Sequence, residues 1–366
     1  MTISVPGRVN LIGEHIDYHD LPVLPMAIQR QVSVTFEPRR ERTIRASSRG
    51  YPPREFSLDE PAPFPPGDWG NYLKAAVQLI AHRWTLTRGI HACVDSNLPL
   101  AAGLSSSSAL MTGIALALLR ANDIYPSVGE LMELLPEGEQ FVGTRGGGMD
   151  HAAVLASQPG SALLIHFSPF RFEPIPIPSD WTFIVAHSLT VAEKSGSAKL
   201  EYNARRAAGL NALRKLGFPS YRAALDRHCP SQLADLAASL PESERDAFLH
   251  VTAEADRVKH AVTALRANRI RDFGDLLVAS HANLRDRLRV SNAALDELVD
   301  CAMDGGALGA RLTGAGFGGC AIILCNMADR DNVCAHLIEH FYAKHPGFSA
   351  AEHLLVAEPS SGALSA

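Results

Sequence analysis

The densest group of chemically active side chains lies near the start of the chain. The segment Pro6-Gly-Arg-Val-Asn-Leu-Ile-Gly-Glu-His-Ile-Asp-Tyr18 is mostly apolar but contains Arg8, Glu14, His15 and Asp17. A buried charge is costly unless it is paired or used. Carboxylates and an imidazole offer hydrogen-bond acceptors and donors in a fixed array, which suits the hydroxyl groups of a sugar. This run predicts a polar small-molecule site, although each residue taken singly fits a solvated surface strand.

A run of four serines marks a second segment, residues 99–110. Backbone N–H groups at the start of a helix are unpaired and lie at the positive end of the helix dipole, so a loop of small residues there can hold phosphate oxygens. The residues expected to do so are Gly103, Leu104, Ser105, Ser106, Ser107 and Ser108. An ordinary serine N-cap before a core helix is the alternative. The Gly-Lys-Ser/Thr ending of a Walker loop is absent.

The third segment is rich in glycine. Residues 314–319 contain four glycines, among them Gly314 and Gly316, just before an apolar stretch at 320–325. Close approach of the backbone to a ligand is one interpretation, and a tight turn with a β-bulge is the other. By itself the pattern does not separate the two.

Hydrophobic periodicity predicts the elements that carry these segments. Alternating apolar residues over 1–45 indicate strands joined by a turn, and six prolines in 51–67 indicate a loop. A strand at 90–94, a loop at 97–103 and a helix at 105–121 form the usual arrangement for holding phosphate. Further strands are expected at 161–167, 181–186 and 320–325, and further helices at 69–82, 198–215, 242–266, 270–289 and 329–341.

Bulk composition limits the class of protein. A chain of 366 residues is long enough for two domains. A net charge of -5 and a sequence pI near 6.3 argue against a nucleic-acid surface. Residues 96–119 are interrupted by Asn97, Pro99 and serines, so they fall short of a membrane span, and no signal-like core opens the chain. Six cysteines without CxxC spacing indicate reduced thiols. We expect a cytoplasmic protein without nucleic-acid or membrane partners.

Together, the three segments resemble the GHMP small-molecule kinases, and more closely their galactokinase branch. The pattern Pro-Gly-Arg-Val-Asn-Leu-Ile-Gly-Glu-His-x-Asp-Tyr is matched by residues 6–18, the Gly-Leu-Ser-Ser-Ser loop by 103–107, and the Gly-Ala-Gly-Phe-Gly-Gly loop by 314–319. Further ordered matches are Trp69-Gly-Asn-Tyr72, Gly146-Gly-Gly-Met-Asp150, Glu201-Tyr-Asn-Ala-Arg-Arg206, Ser280-His281 with Leu284-Arg-Asp286, and Glu358-Pro-Ser-Ser-Gly-Ala363. The likeness covers nearly the whole chain.

The resemblance implies an α+β, two-domain GHMP kinase fold. Its N-terminal domain is like ribosomal protein S5 domain 2 and carries the phosphate loop, and its C-terminal domain is ferredoxin-like. We place these domains at residues 1–185 and 186–366, with sugar and ATP between them. The implied reaction is ATP-dependent phosphorylation of the anomeric hydroxyl of D-galactose to α-D-galactose 1-phosphate, with Mg²⁺ accompanying ATP. A monomer or weak homodimer is expected.

The resemblance also implies roles for individual residues. Asp150 corresponds to the family's catalytic aspartate, which takes the proton from the anomeric hydroxyl, and Arg8 to the arginine beside it. A cation there would depress the aspartate's pKa and stabilise charge on the transferred phosphoryl group. The implied sugar contacts are Glu14, His15, Asp17, Gly147 and Tyr202. Related kinases hold magnesium at the positions of Ser107 and Glu139 and adenine near that of Trp69, and the implied ATP contacts include Gly314 and Gly316.

Several departures from the family pattern bear on the substrate. The segment usual before the Pro-Gly-Arg motif is missing, which implies a trimmed chain or a sugar pocket without one wall. Ile16 and the run at 143–150 look more like N-acetylgalactosamine kinase, whereas Tyr202 is the galactokinase choice. His151 stands where Gln or Asn is usual, and Ala101 where glycine is common in the phosphate loop. The alternatives are a kinase for N-acetylgalactosamine or another galactose-like sugar, and a catalytically silent sensor of sugar and ATP.

Overall fold

Three sheets organise the chain. A computed structural model describes residues 1–60, 62–99, 102–141, 143, 146–190 and 197–365. The strands in this part of the chain are β1 (Thr2–Ile12), β2 (Leu24–Arg39), β3 (Thr43–Ser48), β4 (Tyr51–Ser57), β5 (Gly89–Ser96), β6 (Ser161–Phe167), β7 (Phe170–Pro176), β8 (Trp181–His187), β9 (Gly309–Leu312), β10 (Cys320–Asn326) and β11 (Leu354–Ala357). They form a five-stranded sheet in the order β1-β2-β5-β3-β4, a four-stranded sheet in the order β11-β8-β10-β9, and a hairpin of β6 and β7.

Helices cover these sheets. They are α1 (Gly70–Ala81), α2 (Ser106–Ala121), α3 (Val128–Met132), α4 (Gly138–Phe141), α5 (Met149–Ala156), α6 (Ser197–Leu216), α7 (Tyr221–Arg227), α8 (Pro230–Ala237), α9 (Glu242–Arg266), α10 (Ile270–Asp286), α11 (Ala293–Asp304), α12 (Arg330–His340) and α13 (Ala350–His353). None of the helices described here combines the length and the apolar character needed to cross a bilayer. Ala101, and Thr144 and Arg145 of the segment 143–150, lie outside the described residues.

The first sheet positions the serine loop. Its long strands β1 and β2 pair antiparallel, and α2 packs across both. Gly113 lets this helix lie close to the sheet, because a Cβ there would come within 2.9 Å of a methyl group of Val34. The start of α2 is tied to β1 by a hydrogen bond of 3.2 Å from the N–H of Arg8 to the carbonyl of Leu104. The serine loop therefore lies beside the charged N-terminal segment.

Strand β4 corrects the loop predicted for residues 51–67. The first seven residues of that stretch form β4, which pairs with β3 at the edge of the sheet. Pro52 and Pro53 are tolerated because one side of an edge strand makes no ladder hydrogen bonds, and the register shifts between Ala46 and Ser48 beside them. The prolines therefore mark a sheet edge as well as a loop.

In the second sheet, β8 and β10 are the central strands and both of their faces are covered. Phe183 and Val185 of β8 pack into the large core that includes the first sheet and α9, whereas Ile184 and Ala186 pack into a second core with α11 and α12. Because successive residues of a strand point to opposite faces, β8 is apolar throughout. The predicted division after residue 185 falls within this strand and stays a prediction.

Most of the remaining predicted elements are confirmed in type. The helix expected at 105–121 is α2, and those expected at 242–266 and 270–289 are α9 and α10. The strands expected at 90–94 and 320–325 are β5 and β10. Mainly antiparallel sheets with packed helices confirm the α+β class.

Candidate active site

A cleft lies where the two halves of the chain meet. It encloses about 1060 Å³ of non-atom space, part of it open to solvent. Among the described residues, its lining carries four carboxylates and two cations, which are Glu14, Asp17, Glu139, Asp150, Arg8 and Lys199. The cleft is therefore acidic and mixes groups that can bind hydroxyls with groups that can bind anions.

Most of the predicted site residues meet in this cleft. Those that line it are Arg8, Glu14, His15, Asp17, Gly103, Ser107, Ser108, Glu139, Gly147, Asp150, Tyr202, Gly314 and Gly316. Those that do not are Trp69, Leu104, Ser105 and Ser106. The three sequence segments thus form one site, although their residues are up to about 300 positions apart.

Arg8 and Asp150 form the ion pair at the centre of the cleft. The Nε of Arg8 donates to Oδ1 of Asp150 over 2.7 Å, and a second guanidinium nitrogen lies 2.5 Å from the same oxygen. Another donates to the carbonyl of Gly103 over 2.5 Å. Burial would lower the pKa of Arg8, but the charges of Asp150, Glu14 and Asp17 raise it above its ordinary value. The arginine therefore stays charged and fixes the carboxylate against the serine loop.

Helix α5 carries Asp150 near its N-terminal end. It begins after Gly148, whose φ of 99° is readily adopted by glycine, and Asp150 lies in its first turn. Its end is tied to the last residues of the chain, since Gly362 donates to the carbonyl of Ser157 over 2.7 Å and Ala363 to that of Val154 over 2.8 Å. These bonds pair carbonyls that the helix end leaves free, so α5 is held at both ends.

Glu14 joins the N-terminal segment to the glycine loop. Its Oε1 accepts from the N–H of Gly314 over 2.6 Å and from the hydroxyl of Thr313 over 3.3 Å. The buried guanidinium of Arg311 lies 3.3 Å from the same oxygen and donates to two carbonyls of β1. The N–H of Gly314 is therefore used within the protein, and the predicted contact of the glycine loop with a ligand stays a prediction.

Three rings pack together at His15, and two of them, those of His15 and Tyr202, line the cleft. The Nε2 of His15 lies 3.1 Å from the carbonyl of Ala315 and its Nδ1 lies 2.8 Å from the hydroxyl of Tyr18. Because the carbonyl only accepts, Nε2 carries the proton and Nδ1 accepts from the tyrosine. Burial lowers the pKa of His15 to about 3, so the ring is neutral. The ring of Tyr202 lies 5.2 Å from His15 and 5.6 Å from Tyr18, centroid to centroid.

Asp17 and Gly147 bring two distant segments into contact. The N–H of Gly147 donates to Oδ2 of Asp17 over 3.2 Å. A Cβ at Gly147 would come within 2.3 Å of the main chain of Asp17 and Tyr18, so only glycine fits. Burial, with the charges of Asp150 and Glu14, raises the pKa of Asp17 to about 6.

The serine loop turns sharply before α2. Gly103 has a φ of 77° and Ser105 a φ of 61°, which orient the following residues toward the cleft. The hydroxyl of Ser108 lies 3.3 Å from Oε1 of Glu139 and 3.5 Å from Oδ2 of Asp150. Ser107 lines the cleft beside it. The alternative of a simple serine N-cap does not hold, because Ser105 makes no side-chain cap hydrogen bond.

Trp69 lies outside the cleft lining. Its indole N–H donates to the carbonyl of Pro52 over 2.9 Å, and its ring lies 6.0 Å from that of Tyr51. The residue of the same motif that lines the cleft is Tyr72, one turn further along α1. The predicted contact of Trp69 with adenine stays a prediction.

Sequence reasoning missed several lining residues. Lys199, Met111, Ala315 and Phe317 line the cleft. Lys199 comes just before the matched segment at 201–206, so helical periodicity could have placed it beside Tyr202. Met111 and Phe317 carry no chemical signal that separates them from core residues.

The described part of the chain holds no cluster of three or more His, Cys, Asp or Glu side chains arranged for a metal ion. Mg²⁺ often binds through one or two carboxylates together with substrate phosphates, so such a cluster is not required. Ser107 and Glu139 line the same cleft, and the acidic excess there suits a cation. The donor set therefore fits magnesium carried in with a nucleotide.

Family profiles match most of the length of the chain. The profile "Galactokinase galactose-binding signature" matches residues 1–38, "GHMP kinases N terminal domain" matches 71–158, and "GHMP kinases C terminal" matches 261–343. A galactokinase of Chloroflexus aggregans is 36% identical over 339 residues, covering 91% of this chain and 86% of the relative. The chain belongs to the galactokinase family of GHMP kinases. The predicted family and fold are thereby confirmed.

Solved structures of the galactokinase family and its relatives share the fold. A Lactococcus lactis galactokinase complexed with galactose superposes with a TM-score of 0.87 at 29% identity, covering 99% of this chain and 94% of that one. A mevalonate kinase of Methanococcus jannaschii superposes with a TM-score of 0.65 at 20% identity, covering 99% and 98%. The second likeness shows the fold alone.

Proposed function

We propose that the chain transfers the γ-phosphoryl group of ATP to the anomeric hydroxyl of D-galactose, giving α-D-galactose 1-phosphate and ADP. One observation carries the proposal: residues of the galactose-binding signature line the same cleft as the Arg8–Asp150 pair and the serine loop. An acceptor hydroxyl, a basic carboxylate and a phosphate cradle are the parts that such a transfer needs.

In the proposed reaction, Asp150 receives the proton of the anomeric hydroxyl. The bonds from Arg8 hold its carboxylate in one orientation, which keeps an oxygen directed at the acceptor. The same guanidinium stabilises negative charge as it develops on the transferred group. Because phosphoryl transfer passes through a loose transition state in most analyses, positioning and charge carry much of the catalysis.

We assign the sugar's contacts to one part of the cleft lining, the sugar wall, which consists of Glu14, His15, Asp17, Gly147 and Tyr202. Asp17, ionised above its pKa of about 6, accepts from sugar hydroxyls, and the phenol of Tyr202 can donate or accept. The close contact of Gly147 with the main chain of Asp17 fixes the positions of these two residues relative to each other.

The nucleotide occupies the side of the cleft formed by the serine loop and the glycine loop. Its proposed contacts are Trp69, Gly103, Leu104, Ser105, Ser106, Ser107, Ser108, Gly314 and Gly316. Ser107 and Glu139 would hold Mg²⁺, which would offset the negative charge of the nucleotide's phosphates. A bound Mg²⁺ would suit the charge of the lining, which has four carboxylates and two cationic side chains. Without the metal ion, this excess of negative charge would repel ATP.

We also propose a wider setting for this reaction, as the sequence predicts it. The halves 1–185 and 186–366 act as the two domains that enclose the substrates. The protein works in the cytoplasm as a monomer or weak homodimer, without a nucleic-acid or membrane partner. Light scattering after gel filtration would determine the oligomeric state.

The test is ADP release with Mg²⁺ and ATP across galactose, N-acetylgalactosamine, galacturonate, glucose, arabinose and mannose. We expect selective turnover of galactose. Faster turnover of N-acetylgalactosamine or galacturonate would assign the scaffold to another galactose-like sugar. ATP and sugar binding without turnover would identify a sensor and contradict the proposal.

A further inference from the structure

A buried carboxylate outside the cleft contacts the main chain of the sugar-binding segment. Glu254 of α9 is completely buried. Its Oε1 accepts from the N–H of Gly13 over 2.9 Å and from the hydroxyl of Ser280 over 2.8 Å, and its Oε2 lies 2.7 Å from Nε of Arg257. Burial alone would raise the pKa of Glu254, but Arg257 and other nearby cations lower it to about 2. The group is therefore a charged acceptor for a backbone N–H.

A second residue of α9 reaches the same segment one turn earlier. His250 is also completely buried, and its Nε2 lies 3.0 Å from the carbonyl of Glu14. Because a carbonyl only accepts, Nε2 carries the proton and donates. Burial lowers the pKa of His250 to about 4, so at neutral pH the ring is uncharged and keeps this tautomer.

The segment that α9 holds adopts a conformation that local preference disfavours. Gly13 has a φ of 109° and His15 a φ of 61°, both in the left-handed region. A non-glycine residue rarely adopts that region unless surrounding contacts enforce it. Glu14, between the two, directs its carboxylate to the glycine loop and lines the cleft. Its placement therefore depends on contacts from outside the segment.

We infer that Glu254 and His250 are positioning residues of the sugar site, which hold the main chain on both sides of Glu14. One bond fixes the N–H of the residue before it, and the other fixes its own carbonyl. Neither residue lines the cleft, so both act through Glu14 and His15. The inference rests on the proposed function, because it assigns these two residues to sugar binding.

The test compares Glu254→Met and His250→Phe with a matched control, Arg257→Met. Glu254→Met removes the acceptor for Gly13 and Ser280 together with the ion pair, whereas the control removes only the ion pair. We expect the galactose dissociation constant, measured by calorimetry, to rise about tenfold or more in both test variants. It should stay unchanged in Arg257→Met, and the KM for ATP should stay unchanged in all three. His250→Phe carries the test if Glu254→Met does not fold.

Hydrogen exchange gives a readout that needs no sugar. Peptides covering residues 10–18 should exchange faster in Glu254→Met and His250→Phe than in Arg257→Met, even where all three melt at similar temperatures. Wild-type affinity for galactose together with wild-type exchange in both test variants would overturn the inference. If the wild-type chain bound no galactose, the proposed function would fail, and the exchange data would still decide whether α9 holds this segment.

Discussion

Nε of Arg8 donates to Oδ1 of Asp150 over 2.7 Å, joining the first strand to a helix 142 positions later. The same guanidinium contacts the carbonyl of Gly103 in the serine loop. One buried side chain thus fixes the proposed base relative to the proposed phosphate cradle. This geometry makes charge and position at the acceptor hydroxyl the central features of the proposed catalysis.

Asp150→Asn should slow turnover by about 10²- to 10⁴-fold while galactose binding persists, because the amide keeps the shape but cannot take a proton at neutral pH. Steady-state kinetics and calorimetry measure the two effects. Asp123→Asn, at an exposed position that pairs with Arg88, serves as the control. Near wild-type turnover in Asp150→Asn would remove Asp150 from the mechanism.

Asp17→Asn should stabilise the folded protein at pH 8, by on the order of 2 kcal/mol, while weakening galactose binding. Burial and the charges of Asp150 and Glu14 raise the pKa of Asp17 to about 6 from 3.8, so ionisation above pH 6 costs folding free energy. The wild type recovers this stability as pH falls from 6 to about 4, because its folded state takes up the proton before its unfolded state does. Denaturant unfolding at pH 8 and pH 4.5 measures the difference, and an equal gain at both values would refute the assignment.

Gly147→Ala should weaken galactose binding by about tenfold or more, because the new Cβ would come within 2.3 Å of the main chain of Asp17. Asp17 and Tyr18 would have to shift, and with them the sugar wall. Gly129→Ala, in helix α3, is the matched control. The nearest atom that a Cβ there would meet is the hydroxyl oxygen of Ser127, at 3.9 Å. Binding calorimetry on both variants decides, and equal affinities would show that the close contact is not needed.

Glu139→Gln should raise the Mg²⁺ concentration that gives half-maximal turnover by about 10- to 100-fold, because a neutral amide is a weaker ligand than a carboxylate. Galactose binding without nucleotide should not change. Glu137→Gln provides the control, since Glu137 is exposed and does not line the cleft. A magnesium titration that matches the wild type would exclude Glu139 as a ligand.

The sequence predicts the residues that line the site better than the buried residues that hold them in place. Arg8, Glu14 and Asp150 belong to motifs whose unusual residue types signal chemistry, and the structure brings them into one cleft. Glu254 carries no such signal, because a glutamate in a periodic helix usually faces solvent. Only the packing of α9 against β1 shows that it is buried and paired.

Position within the sheet explains where the secondary structure predicted from the sequence was wrong. The prolines of β4 suggested a loop, since the sequence does not show that the strand lies at an edge. Strand β7 was also not predicted, because Pro174 and Pro176 interrupt its pattern and its hairpin pairs only with β6. Trp69 belongs to a matched motif, yet its side chain faces Pro52 in β4 and not the cleft.

The most direct test of the central claim is the identity of the product. The chain is incubated with ATP, Mg²⁺ and D-galactose, and the product is examined by ³¹P and ¹H NMR. We expect one ADP for each galactose consumed and a phosphate on the anomeric oxygen in the α configuration. A phosphate at another hydroxyl, or no phosphorylated galactose while a different sugar is consumed, would contradict the central claim.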